Sequence, residues 1–244
     1  MTKSENLPIL SKAYWKEAAK SFGDVKMLVF AALIVALKVV VKAFKIEIAP
    51  SLYITFDCYV TAMGSLVYGP LTALLVGAVS DTLGCILFPS GPYFFPFIFV
   101  EMLGGFIFAL FLWRRSISVT RTLAAKFTVN LVCNIILTSL LMKWDYYFFY
   151  GVEKAEAYNV INLVRICKNL IMFPLEAVLI TLILKVAIPA LRAMGFRWLP
   201  AGIEEMKPKH YILIGALLLL SAALVAAYVI WGKDFISAHN VKLF

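Results

Sequence analysis

The sequence predicts an all-α integral membrane protein: a six-helix bundle with a seventh transmembrane helix at its C-terminal end. Three observations carry this. Hydrophobic residues make up 63% of the 244 residues, only 15% are charged, and mean hydropathy is +0.91; a soluble domain of this length needs more polar surface. Apolar runs of bilayer length, about 20 residues each, recur at 27–44, 52–69, 71–88, 94–113, 122–142, 164–188 and 211–231. The breaks between them carry turn chemistry, at Gly69-Pro70, at Pro89-Ser90-Gly91-Pro92 and at Arg114-Arg115.

Residues 1–26 are polar, mixed in charge and without the compact apolar core of an export signal. Leu10, Tyr14, Ala18 and Phe22 recur every four residues, which predicts an amphipathic helix on the membrane surface. The first crossing contains AALIVALKVVVKAFK, residues 31–45. At about 100° per residue, Ala32 and Ala36 share one face, while Lys38, Lys42 and Lys45 fall together on another. Alanines four apart allow a second helix to approach closely in lipid. For Lys45, snorkelling to the interface accounts for the charge. Lys38 lies one to two turns deeper, where a charge either snorkels or faces a watery cavity, and such charges are usually functional.

The second crossing carries Asp57 near its start, placed either to pair with Lys38 or to accept hydrogen bonds from a ligand. Asp81 in the third crossing sits in the glycine-containing VGAVSDTLG. The loop CILFPSGPYFFPF brings Phe88, Tyr93, Phe94, Phe95 and Phe97. These rings can form an interfacial belt or stack on a flat heterocycle, as can those of WDYYFFYG, Trp144 to Gly151. Glu101 stands in the fourth crossing and Glu176 in the sixth. Arg165, Lys168 and Asn169, in VRICKNLIMFPLEA, open the sixth crossing. A helix N-terminus attracts anions and an arginine fork suits carboxylates, although the same residues also serve as interfacial anchors. Residues 189–210 read as a polar linker holding Pro200 and Pro208, and residues 211–244 as the extra helix and a short tail.

Lysine and arginine set an expected orientation. With the N-terminus cytoplasmic, the inner segments hold Lys3, Lys12, Lys16, Lys20, Lys26, Arg114, Arg115, Arg121, Arg192, Arg197, Lys207 and Lys209. The outer ones hold Lys45, Lys143, Lys154, Lys233 and Lys242. The net charge of +9 is thus a topology signal bordering apolar segments, with no basic soluble domain to bind nucleic acid. Cys58, Cys85, Cys133 and Cys167 form no CxxC pair, and His210 and His239 are far apart, so neither a metal site nor a cofactor is expected. No HExxH, GxSxG or phosphate-loop motif is present, which argues against an enzyme and against ATP binding by this chain.

GPLTALLVGAVSD, FPSGPYFFPF with MLGG at Met102–Gly105, Asn134 in VCNIILTSLL, and above all RICKNLIMFPLE resemble the substrate-binding S components of energy-coupling factor (ECF) vitamin transporters, specifically the folate family. The resemblance spans about residues 27–188. It implies a non-enzymatic subunit of a bacterial cell membrane that captures folate from outside and joins a transmembrane T component and two ATPases. It also implies that the Ala32/Ala36 face docks on the T component. Lys38, Lys42, Arg165 and Lys168 would then suit the glutamate tail, Tyr93 and Phe94 the ring, and Asp57 or Asn169 the ring's donor edge. Phe97-Ile98, Glu101 and the seventh run depart from the expected pattern. Another vitamin, such as pantothenate, or a membrane enzyme of lipid metabolism are the competing interpretations; cationic thiamine fits two basic clusters poorly.

Overall fold

The structure, a computed structural model, describes residues 8–49, 52–89, 93–158, 163–203 and 208–238. It is a bundle of long helices, interrupted by one short β-hairpin. α1 (Lys12–Phe22) is capped by Ser11, whose hydroxyl accepts from the Tyr14 amide. It buries Tyr14 and Ala18 against the bundle and leaves Phe22 exposed, while Leu10, expected in the same helix, lies exposed in the turn before it. α2 (Val25–Lys42) starts at the Asp24 cap and, at 18 residues, is about 27 Å long. Its Met27, Phe30, Ile34 and Lys38 face inward, whereas Ala32 and Ala36 are exposed on the far side with Val29, Leu33 and Val40.

After α2 the chain forms an antiparallel hairpin, β1 (Lys45–Ala49) and β2 (Leu52–Thr55), with Lys45 opposite Thr55. The expected second crossing therefore starts later than residue 52. Alternating and β-branched residues in KIEIA and LYIT favour strand over helix, yet by hydropathy they merge into the apolar run that follows.

α3 (Asp57–Leu87) turns sharply at Gly69, whose φ of 81° lies where only glycine is comfortable. A Cβ there would also meet the Trp113 ring at 2.8 Å. The following Pro70 has no amide hydrogen to continue the helix. The contacts of the two arms show that they run back alongside each other. Asp57 lies at Lys38 and Asp81 at Lys42, one turn apart on α2, while Tyr68 accepts a bond from Ser21, below the start of that helix. These arms are the expected second and third crossings.

α4 (Ile98–Leu112), entered through a 3₁₀ turn at Phe95–Phe97, packs on the second arm of α3. Gly77 permits this approach, since a Cβ there would strike the α4 backbone at 2.7 Å. α5 (Val119–Val129), a π-helical stretch (Asn130–Leu137) and α6 (Thr138–Tyr150) form one continuous rod. The stretch from Trp144 to Tyr150, expected in a loop, thus extends the fifth crossing. Short α7 (Val152–Ala157) follows, then α8 (Leu163–Ala193), which runs past Pro174 and Pro189. The segment expected to be a linker turns back instead. Phe196 and Leu199 are buried, and Lys26 sits 4.5 Å over the Phe196 ring. α9 (Pro208–Ala238) lies against α8, with Val225 and Tyr228 near Met172. Among the described residues, five helical stretches are long and apolar enough to cross a bilayer, one of them the whole of α3. The chain is a multi-pass membrane protein.

Candidate functional site

The site grows from charges that the sequence placed inside apolar helices. An unpaired charge there is costly, so the fold brings partners to each. Lys38, fully buried on α2, donates to Glu101 of α4 at 2.8 Å and lies 3.3 Å from Asp57 of α3. Lys42, one turn on, pairs with Asp81 at 3.1 Å. Lys126 of α5 pairs with Glu176 of α8 at 2.9 Å, and this lysine too is buried. Four ion pairs thus tie α2 to α3 and α4, and α5 to α8.

Between these helices lies a cavity of about 670 Å³, a size suited to a drug-sized ligand. Its mouth is formed by Phe44, Thr55, Phe88, Tyr93, Phe94 and Tyr150, from the hairpin region, the loop before α4 and the end of α6. Its walls include Asp57, Asp81, Glu101 and Lys42 on one side, and Cys133, Asn134 and Asp145 on the other. Deepest are Phe108, Lys126 and Glu176; Glu176 is 13 residues, about 20 Å of helix, beyond the start of α8 at Leu163.

Phe94 is buried among the rings of Phe97, Phe148 and Phe149, with centroids 5.7–6.2 Å apart, while Tyr93 is partly open. The π-helical stretch widens the rod where Cys133 and Asn134 meet the cavity, and Asn134 donates to Asn130 at 3.1 Å. π-bulges often mark functional positions.

Of the residues expected to contact a ligand, Lys42, Asp57, Tyr93 and Phe94 line this cavity. Lys38 stands just behind the wall, committed to two carboxylates. Arg165, Lys168 and Asn169 are not among the lining residues. Arg165 donates to Ser139 at 3.3 Å, Asn169 donates to the Arg165 carbonyl at 2.9 Å, and Asn130 donates to the Asn169 carbonyl. This cluster laces the upper part of α8 to the neighbouring rod. The sequence reading overlooked Lys126, which gave no local signal because its partner is fifty residues away. It gave Glu101 and Glu176 no role; Glu101 is the carboxylate that balances Lys38.

A family model described as "ECF transporter, substrate-specific component" matches residues 26–195. The chain belongs to that family. The matched region contains the whole cavity and ends before α9. A folate transporter FolT from Clostridium novyi is 30% identical over 156 residues, covering 64% of this chain and 86% of its own. One from Leuconostoc mesenteroides is 27% identical, over 63% and 81%. A crystal structure of FolT bound with folic acid superposes with a TM-score of 0.52 at 26% identity, covering 63% of this chain and 88% of the other.

Proposed function

We propose that the protein is the folate-binding S component of an ECF importer in a bacterial cell membrane. Its cavity, inside the family-matched region, carries this proposal: it combines aromatic rings at its mouth with fixed carboxylates and lysines along its walls. Two relatives named as folate transporters and a folic acid-bound neighbour support the choice of vitamin. The chain binds and releases folate; it catalyses no reaction. Residues 27–188 form the binding domain, residues 1–26 and 189–210 flank it in the cytoplasm, and residues 211–244 add a seventh crossing. The cavity opens outward, in keeping with the lysine and arginine bias. A transmembrane T component docks on the exposed Ala32/Ala36 face, and two ATPases drive uptake, as family membership supports.

Lys42, Asp57, Tyr93 and Phe94 meet the ligand, while Arg165, Lys168 and Asn169 attract its anionic tail from the upper end of α8. Lys38 holds Asp57 and Glu101 in place. Isothermal titration of the purified chain with folate, pantothenate and thiamine tests the substrate. Saturable binding of one folate per chain is expected, with neither other vitamin competing. Tighter binding of pantothenate would identify a different anionic vitamin as substrate.

A further inference from the structure

α1 precedes the family-matched residues and residues 196–203 follow them, yet both are held at the same end of the bundle. The crossing formed by α4 ends at Trp113. Tyr14 seats α1 there, its ring edge-on to Trp113 with centroids 5.0 Å apart, and Ser21 donates to the Tyr68 carbonyl at the reversal of α3. Arg114 joins the two segments: it pairs with Glu17 of α1 at 2.8 Å and lies 5.6 Å over the Trp198 ring. These contacts fix the rotation of α1, so it does not roll on the membrane as a free amphipathic helix would.

That rotation sorts the remaining side chains. Trp15 stacks on Phe106 with centroids 6.2 Å apart. Phe106 is seven residues before Trp113, about 10 Å inside the crossing. One flank of α1, Trp15 with the exposed Phe22, therefore borders the hydrocarbon. Lys12, Lys16 and Lys20, four residues apart and all exposed, form a ridge along another side of α1. A helix is about 10–12 Å across with its side chains, which sets this ridge at the depth of lipid phosphates. The one carboxylate of α1, Glu17, is committed to Arg114, and nearby Asp24 caps α2. No carboxylate among the described residues pairs with the three lysines, and the exposed Arg197 adds a further cation on the neighbouring segment.

We propose that α1 is a docking surface for anionic phospholipid headgroups: Lys12, Lys16 and Lys20 hold the headgroup phosphates while Trp15 and Phe22 rest against the acyl chains. Because α1 is seated on both the α3 reversal and the end of α4, a lipid bound there braces this end of the bundle. The proposal concerns a surface outside the vitamin cavity and holds whichever vitamin that cavity takes.

Native mass spectrometry of the purified full chain, equilibrated with equal amounts of phosphatidylglycerol and phosphatidylcholine of the same acyl chains, reads the preference. Attraction of about fivefold per lysine predicts that phosphatidylglycerol is retained over phosphatidylcholine by at least about tenfold, and that the preference fades as salt is added. The triple variant Lys12→Gln, Lys16→Gln, Lys20→Gln should abolish most of it and still bind vitamin like the parent, since all three side chains are exposed. Tyr14→Ala keeps every lysine but removes the ring that seats α1 on Trp113, and should lower the preference several-fold. Lys143→Gln with Lys154→Gln, which removes exposed lysines near the mouth of the cavity, should leave it unchanged. Equal retention of the two lipids by the parent would overturn the proposal, as would an equal loss from the pair of changes near the mouth. A triple variant that keeps the parent's preference but no longer supports uptake by cells would assign the ridge to a protein partner and overturn it too.

Discussion

Replacing Lys38 with methionine keeps most of the side-chain volume but deletes the cation that lies within 3.3 Å of both Asp57 and Glu101. Lys38 itself has no exposed surface, and its partners are largely buried between α2, α3 and α4. Removing one member of a buried pair leaves an uncompensated charge and typically costs about 3–5 kcal/mol; here two carboxylates are left facing each other. For a chain of this size each kcal/mol lowers the melting temperature by about 2–4 °C, so Lys38→Met should melt about 6–20 °C below the parent. Neutralising the partners as well, with Asp57→Asn and Glu101→Gln, should recover most of that loss. Thermal unfolding of the three proteins in one detergent, followed by intrinsic fluorescence, gives the comparison. A Lys38→Met protein melting within about 2 °C of the parent, or a triple variant as unstable as the single one, would refute the argument that these carboxylates are held by Lys38.

Gly69→Ala should lower stability by about 1–3 kcal/mol, because alanine is strained at φ 81° and its methyl would meet Trp113; melting temperature checks this, and a neutral effect would contradict the folded-back form of α3. Ala32→Trp or Ala36→Trp should abolish folate uptake by cells while purified protein still binds folate; joint loss of both would place that face in the binding fold rather than at a docking surface. Arg165→Ala should weaken folate by about 10- to 100-fold but leave pteroic acid nearly unchanged, as titration would reveal. In a background without native cysteines, an impermeant thiol reagent outside intact cells should label a cysteine at position 153 but not at 118, and the reverse pattern would invert the topology.

The fold was legible wherever hydropathy and punctuation coincide. Gly69-Pro70 marked the reversal in α3, and the lysine spacing on α2 correctly separated an inward face from the alanine face. Hydropathy could not separate the β1–β2 hairpin from the helix after it, because Leu52, Tyr53 and Ile54 are as apolar as a crossing. It also stopped the fifth crossing short of Trp144–Tyr150, where aromatic residues suit an interface as well as a helix end. The lysines within crossings flagged the candidate site. The sequence could not show that Lys38 meets Glu101 across 63 positions, or that Lys126 meets Glu176 across 50; such pairings exist only once helices pack. The Arg165 motif was readable as a basic cluster, but which way it faces depends on the rotation of α8 against the π-helical stretch, and that places its hydrogen bonds at Ser139 and Asn130.

The most direct test of the central claim is to purify the full chain from cells grown in rich medium, denature it, and identify the released small molecule by mass. Folate or a reduced folate, at about one molecule per chain, is the expected result. Release of another vitamin, or of none from a protein that also fails to take up added folate, would contradict it.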